Sequence, residues 1–318
     1  MSVWLLTDAA MDAHGSPGHP ERAERRDAAA NGVRDAAGDA LVEPAVQEVD
    51  EASLAAIHDP GYLAALVSAE ASGGGWLDPD TYLVPGSVHA ARLAAGATLQ
   101  AAVGVASGEA EIAFAVVRPP GHHASGVRGT GFCLLNNVAV AVAGLRRRGL
   151  AQRLAVVDWD VHHGDGTQAI FDADPDFCYT STHQSPLYPG TGRREERGVG
   201  DAVGTKHNRP LAPESGDDEY IDAWRAELLP AIEAFAPDAI LVSAGYDAHA
   251  ADPLASLRVT EDGFGEVATL LGALSARLAL AGVALTLEGG YDLDALRASA
   301  SATVRGLLDG RRGSLGGT

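Results

Sequence analysis

The sequence predicts a single α/β domain, residues 1–318, in which an open parallel sheet lies between two layers of helices. Three observations predict it. Short apolar runs of strand length recur along the chain, most of them too continuous to be half-exposed strands. Alanine- and leucine-rich stretches with helical spacing lie between them, which gives a βαβα order. Polar clusters follow the runs directly, at the carboxyl ends where open α/β sheets place their ligands. In order, Val3–Leu6 is a first buried strand, closed at once by Asp8. A helical stretch at 86–108 leads to the strand Ile112–Val117, and a second at 134–148 leads to Leu154–Val157. Phe177–Tyr179 follows as a short strand. Helical spacing at 217–235 precedes Ala239–Val242, spacing at 262–281 precedes Val283–Leu287, and a last helix covers 293–309. No linker, charge block or internal repeat divides these elements.

Composition narrows the function. Hydrophobic residues make up 46% of the 318 and aromatic ones only 5%, which supplies a large aliphatic core. The net charge of −20 repels phosphate backbones and excludes nucleic acid as a direct ligand, while a cationic peptide or polyamine remains acceptable. No run approaches the ~20 apolar residues of a membrane span, and two cysteines, Cys133 and Cys178, are too few for a disulfide framework. A cytoplasmic protein is expected. Lys206 is the sole lysine against 22 arginines, a bias with no functional reading.

The chemistry sits after the strands. Asp158, Asp160 and His162 alternate onto one face of an extended segment, so an Asp-x-His pair points at one place. Asp247, at the end of another strand, supplies the natural third ligand of a mixed N/O metal site with a position left for water. A lone Asp-x-His is more often a hydrogen-bonded pair capping a strand; Asp247 and the tandem histidines favour metal. His122 and His123 follow a stiff Pro119-Pro120-Gly121 approach. Loop histidines are usually idle, but Asp158 and Asp165 offer each a carboxylate, as acid/base work requires. Tyr291, after Gly289-Gly290, suits an oxyanion donor, although it could be an ordinary half-buried phenol. Metal-activated water, a histidine pair and a neutral donor specify hydrolysis of an amide or ester carbonyl. Cys133 reads as packing, and no phosphate-binding glycine loop follows a strand.

These motifs resemble the histone deacetylase superfamily, which includes bacterial acetylpolyamine amidohydrolases and acetoin-utilisation proteins. The resemblance rests on His19-Pro20-Glu21-Arg22, Arg118-Pro119-Pro120-Gly121-His122-His123, Gly131-Phe132-Cys133-Leu134-Leu135-Asn136-Asn137, Asp158-x-Asp160-x-His162-His163-Gly164-Asp165-Gly166-Thr167, Tyr188-Pro189-Gly190-Thr191-Gly192 and Glu288-Gly289-Gly290-Tyr291. The last of these, with Leu135-Asn136-Asn137-Val138-Ala139, looks class II-like. The resemblance implies an arginase-like three-layer α/β/α deacetylase fold with a mostly parallel sheet. It implies zinc, or iron in its place, on Asp160, His162 and Asp247, and His123 as the proton carrier with His122 as its electrostatic partner. Asp158 and Asp165 would orient the two histidines, and Tyr291 would bind the acetyl oxygen. Gly131, Phe132 and Tyr188 match the acyl-lysine tunnel, and Leu254 matches a rim position where a polyamine-selective relative carries an acid. Asp158, Asp160, His162, Ser181 and Thr182 match a structural monovalent cation site, for potassium. Arg25 matches an arginine lining an inner cavity, although by its sequence context alone it is equally a surface helix charge.

The expected substrate is therefore an acetylated lysine in a protein or peptide, with an acetylated polyamine or other small amide as the alternative. A catalytically silent metal-binding protein would need neither His122, His123 nor Tyr291, and arginase-type chemistry would want a second metal and more carboxylates. Association into a homo-oligomer is left open.

Overall fold

The computed structural model describes residues 2–315. Its strands are β1 (Val3–Leu6), β2 (Leu41–Val42), β3 (Gly75–Trp76), β4 (Tyr82–Leu83), β5 (Ile112–Ala115), β6 (Leu154–Asp158), β7 (Phe177–Gln184), β8 (Lys206–Leu211), β9 (Ala239–Ala244) and β10 (Val283–Leu287). Eight of them form one parallel sheet in the order β2-β1-β5-β10-β9-β6-β7-β8; β3 and β4 make a separate antiparallel pair.

Alternation along each strand feeds two cores. Ile112, Phe114, Val283, Leu285, Ile240, Val242, Ala155 and Val157 point to one face, where helices Glu24–Ala37, Glu261–Arg277 and Leu293–Leu315 cover them. Ala113, Ala115, Ala284, Leu241, Leu154 and Val156 point to the other, under helices Ser87–Ala106 and Asn137–Arg147. The small residues on that second face let an alanine-rich helix lie close. Inside it, Gly104 is required because a Cβ there would stand 2.3 Å from the Trp4 ring. Asn136 starts the Asn137–Arg147 helix by accepting the Ala139 amide at 3.0 Å, so part of a motif-bearing segment is a helix cap.

The expected three-layer arrangement is present, with differences at the element ends. Ser181, Thr182 and His183 do not follow a strand; β7 continues, buried, through Gln184, because β8 pairs with it from Tyr179 to Gln184 after its pairing with β6 has ended at Ser181. The helical stretch read at 217–235 contains a π-turn, Ala223–Leu228, between Asp217–Asp222 and Leu229–Phe235. Strand β8 and the helices Glu24–Ala37, Pro60–Ala71 and Asp165–Phe171 were not read from the sequence. Among the described residues no helix is long and apolar enough to cross a membrane.

The order β5-β10-β9-β6 is what makes the site. These four neighbours point their carboxyl ends the same way and release the segments beginning at Val116, Glu288, Gly245 and Trp159 onto one edge.

Candidate active site

Asp160, His162 and Asp247 meet at that edge, each offering one ligand atom within 4.8 Å of the others. β6 ends at Asp158, so Asp160 and His162 belong to the loop beyond it. Gly289 N–H fixes Asp160 Oδ2 at 2.7 Å, while Asp160 Oδ1 stands 3.1 Å from His162 Nδ1. Val161 N–H fixes Asp247 Oδ1 at 2.9 Å and leaves Oδ2 buried without a hydrogen bond, 3.2 Å from the same His162 nitrogen. Two buried carboxylates and one imidazole are the donor set of a mixed N/O metal site, and the orphaned Asp247 oxygen fits a cation. Gly245 and Gly289 make the crowding feasible, since a Cβ at either would lie 2.1 Å from an Asp160 or Asp247 oxygen.

The histidine pair stands beside this group, ring centroids 4.0 Å apart. His122 Nδ1–H donates to Asp158 Oδ2 at 3.1 Å, and the same oxygen accepts the Tyr179 hydroxyl at 2.9 Å. His123 Nδ1–H donates to Asp165 Oδ1 at 2.7 Å, which leaves its Nε2 free to accept. Burial works against the proton on both rings. For His123 it prevails, with His122 adding to it, and the ring is pushed down to about 4. For His122 burial is outweighed by Asp160, Asp158 and Glu288, which hold it well above the usual imidazole range. Burial also pushes the Tyr291 phenol far above its ordinary value, reinforced by Asp247 and Asp160 against Arg25. Burial and the neighbouring carboxylates thus push the two imidazoles in opposite directions and favour the protonated phenol.

A cavity of about 240 Å³ opens over these groups, and Gly131, Phe132, Tyr188 and Leu254 all line it. Phe132 has φ 68°, in the left-handed region, and its N–H donates to Thr81 Oγ1 at 3.0 Å. Its ring stands edge-on to Tyr291 and His19. Tyr188, 41% exposed, forms the rim and shares a hydrogen bond of 2.9 Å with Thr130. Gly131 is the floor beside His123, where a Cβ would lie 2.5 Å from the imidazole.

Ser181 pairs in register with Asp158, and Thr182 Oγ1 is buried without a hydrogen-bond partner. Arg25 is not a surface charge: it is fully buried, gives hydrogen bonds to Glu21 and to the carbonyls of Glu288 and Gly290, and lies over the Tyr291 ring at 4.7 Å. Sequence reasoning missed the roles of Glu288, whose carboxylate meets the Gly121 and His122 amides, and of Asp252, which accepts the Tyr291 amide at 2.6 Å. Their only signal was an acid beside a motif glycine or proline.

Cys133 and Cys178 are buried, burial pushes both thiols up, and neither faces the cavity. The histidines face it instead, as they do in a site built for acid/base chemistry beside a metal. The family profile of the histone deacetylase domain matches residues 19–307. A protein of Archaeoglobus fulgidus named a probable deacetylase is 40% identical over 284 residues, 88% of this chain and 78% of its own. The histone deacetylase-like amidohydrolase of Pseudomonas aeruginosa is 39% identical over 236 residues, 74% of this chain and 62% of its own. The solved HDA15 HD domain superposes with a TM-score of 0.90 at 35% identity, covering 96% of this chain and 89% of that one. The chain belongs to the histone deacetylase family.

Proposed function

We propose that this single domain is a zinc-dependent hydrolase that removes acetyl from amines, foremost the ε-amine of acetyl-lysine in proteins or peptides. The observation that carries the reading is the Asp160–His162–Asp247 group, set beside a carboxylate-paired neutral imidazole and a buried phenol in one cavity. Asp160, His162 and Asp247 would hold the zinc, or iron in its place; when bound it supplies a Lewis acid and an acidified water. His123 Nε2 takes the proton of the attacking water, with Asp165 holding the ring in the tautomer that permits it, and passes that proton to the leaving amine. His122 keeps its own proton between Asp158 and Asp160 and stabilises negative charge nearby. Tyr291 donates to the acetyl oxygen. Phe132 and Tyr188 flank the acyl-lysine stem, and Asp158, Asp160, His162, Ser181 and Thr182, with backbone carbonyls, would hold a structural potassium ion.

The alternative, an acetylpolyamine deacetylase, draws on Asp80, which lines the cavity and would meet a distal ammonium. Comparing kcat/KM for an acetyl-lysine peptide with those for N-acetylated putrescine and spermidine tests the choice. A clear advantage for the polyamines would overturn the lysine reading, and no turnover of any acetylated amine would overturn the deacetylase reading itself.

A further inference from the structure

Glu288 is the first residue beyond β10, and its side chain neither lines the cavity nor belongs to the ligand group. It is nevertheless fully buried in a site already rich in acids. Desolvating a carboxylate among like charges is unfavourable, so its contacts must offset that cost.

They are specific. Oε2 accepts two successive amides, Gly121 N–H at 2.6 Å and His122 N–H at 3.1 Å. Oε1 accepts the Ser243 hydroxyl at 3.1 Å from β9, the next strand. The loop it grips leaves β5, the neighbour on the opposite side of β10. The other side of this loop is also held: Asn137 Nδ2–H donates to Pro119 O at 3.1 Å, and the His122 carbonyl accepts the Thr167 amide at 3.0 Å. Gly121 is pressed so closely there that a Cβ would lie 2.5 Å from the Asn137 nitrogen. Both backbone groups of His122 are therefore tied, the N–H to Glu288 and the C=O to Thr167. Bonds from amides to a carboxylate are about twice as strong as neutral ones, which suits a short loop whose side chains must stand within about half an ångström of their working place. Asp158 fixes the end of the His122 ring; Glu288 fixes the backbone from which that ring and the His123 ring depart.

We propose that Glu288 is a positioning residue for the hydrolysis, clamping the Gly121 and His122 amides to the β9–β10 edge and so setting where the His122–His123 pair stands. Its catalytic consequence rests on the deacetylase reading above, whereas the clamp itself does not. Glu288→Gln keeps the shape, because its amide oxygen accepts both N–H groups and its NH₂ reaches Ser243. Glu288→Ala removes the clamp, and Ser243→Ala loosens it.

The experiment measures kcat and KM on an acetyl-lysine peptide, metal content, and amide exchange over 118–123 by mass spectrometry for the three variants and the wild type. Glu288→Ala should lower kcat by about 10–10²-fold, the loss expected of misplaced groups, with KM and metal content near wild type and faster exchange over 118–123. Glu288→Gln should restore kcat to within about threefold and restore protection, and Ser243→Ala should fall between. Unchanged kcat and exchange in Glu288→Ala, a loss that follows metal content or KM alone, or failure of Gln to rescue would overturn the proposal. If Glu288→Ala does not fold, Ser243→Ala decides: slower turnover with faster exchange supports the clamp, and no change in either overturns it. A wild type that hydrolyses no acetylated amine would overturn the functional reading while the exchange measurement still decides the clamp.

Discussion

Single atoms carry the chemistry. Tyr291→Phe should leave fold and metal content intact and lower kcat by about 10²–10³-fold, the cost of one oxyanion donor; a kcat near wild type would make Tyr291 structural. Gly131→Ala tests the floor: its Cβ would stand 2.5 Å from the His123 ring, on a backbone with φ 56°. We expect kcat to drop by about 10²-fold while circular dichroism stays unchanged. The residues legible from sequence, His122, His123, Asp160, His162 and Asp247, are those whose side chains line the cavity or join the ligand group beneath it and whose chemistry is uncommon in clusters. Glu288 and Asp252 were not legible because they grip backbone amides far along the chain, and a carboxylate's grip on an amide leaves no pattern in residue type.

Elements were readable where burial is apolar and unreadable where it is polar. β5, β9 and β10 are mostly apolar, interrupted only by Ser243 and Thr286. β8 is Lys-His-Asn-Arg-Pro-Leu, an edge strand whose polar side chains and proline hide it. The Glu24–Ala37 helix buries mainly alanine and arginine, so it shows little periodic hydrophobicity. What ties that helix to the end of β5 is Glu21, which is fully buried and accepts Arg25 at 3.0 Å and Arg118 at 2.6 and 2.7 Å. Burial alone would raise its carboxyl; Arg118, then Arg25, brings it down to about 2. A carboxyl lowered on folding stabilises above its unfolded value, near 4.5, and loses that contribution as the pH falls toward 2. Urea unfolding at pH 7 should show Glu21→Gln less stable than wild type by about 3–5 kcal/mol, the gap narrowing at pH 3. A gap independent of pH would show that shape, not charge, holds the junction.

For the molecule as a whole, the one ligand group found among the described residues predicts one catalytic metal per chain. A chelator should abolish turnover and zinc should restore it; two tightly bound catalytic metals by elemental analysis would point to arginase-type chemistry. Selectivity belongs to this scale too, since a net charge of −20 draws cations from every direction whereas Leu254 is one residue of the cavity lining. Leu254→Glu should shift the ratio of kcat/KM values toward acetylated polyamines by about 1–2 kcal/mol, and an unmoved ratio would remove Leu254 from the specificity argument. The sole lysine bears on this as well. Lys206 is fully buried, its ammonium giving hydrogen bonds to the carbonyls of Asp174 and Phe177 and to the Thr205 hydroxyl. Every side-chain cation that this chain shows to solvent is consequently a guanidinium or an imidazole, neither of which forms the stable N-acetyl amide of a lysine. Acyl donors therefore find no exposed lysine on this chain to modify, and its surface charge is fixed against lysine acylation.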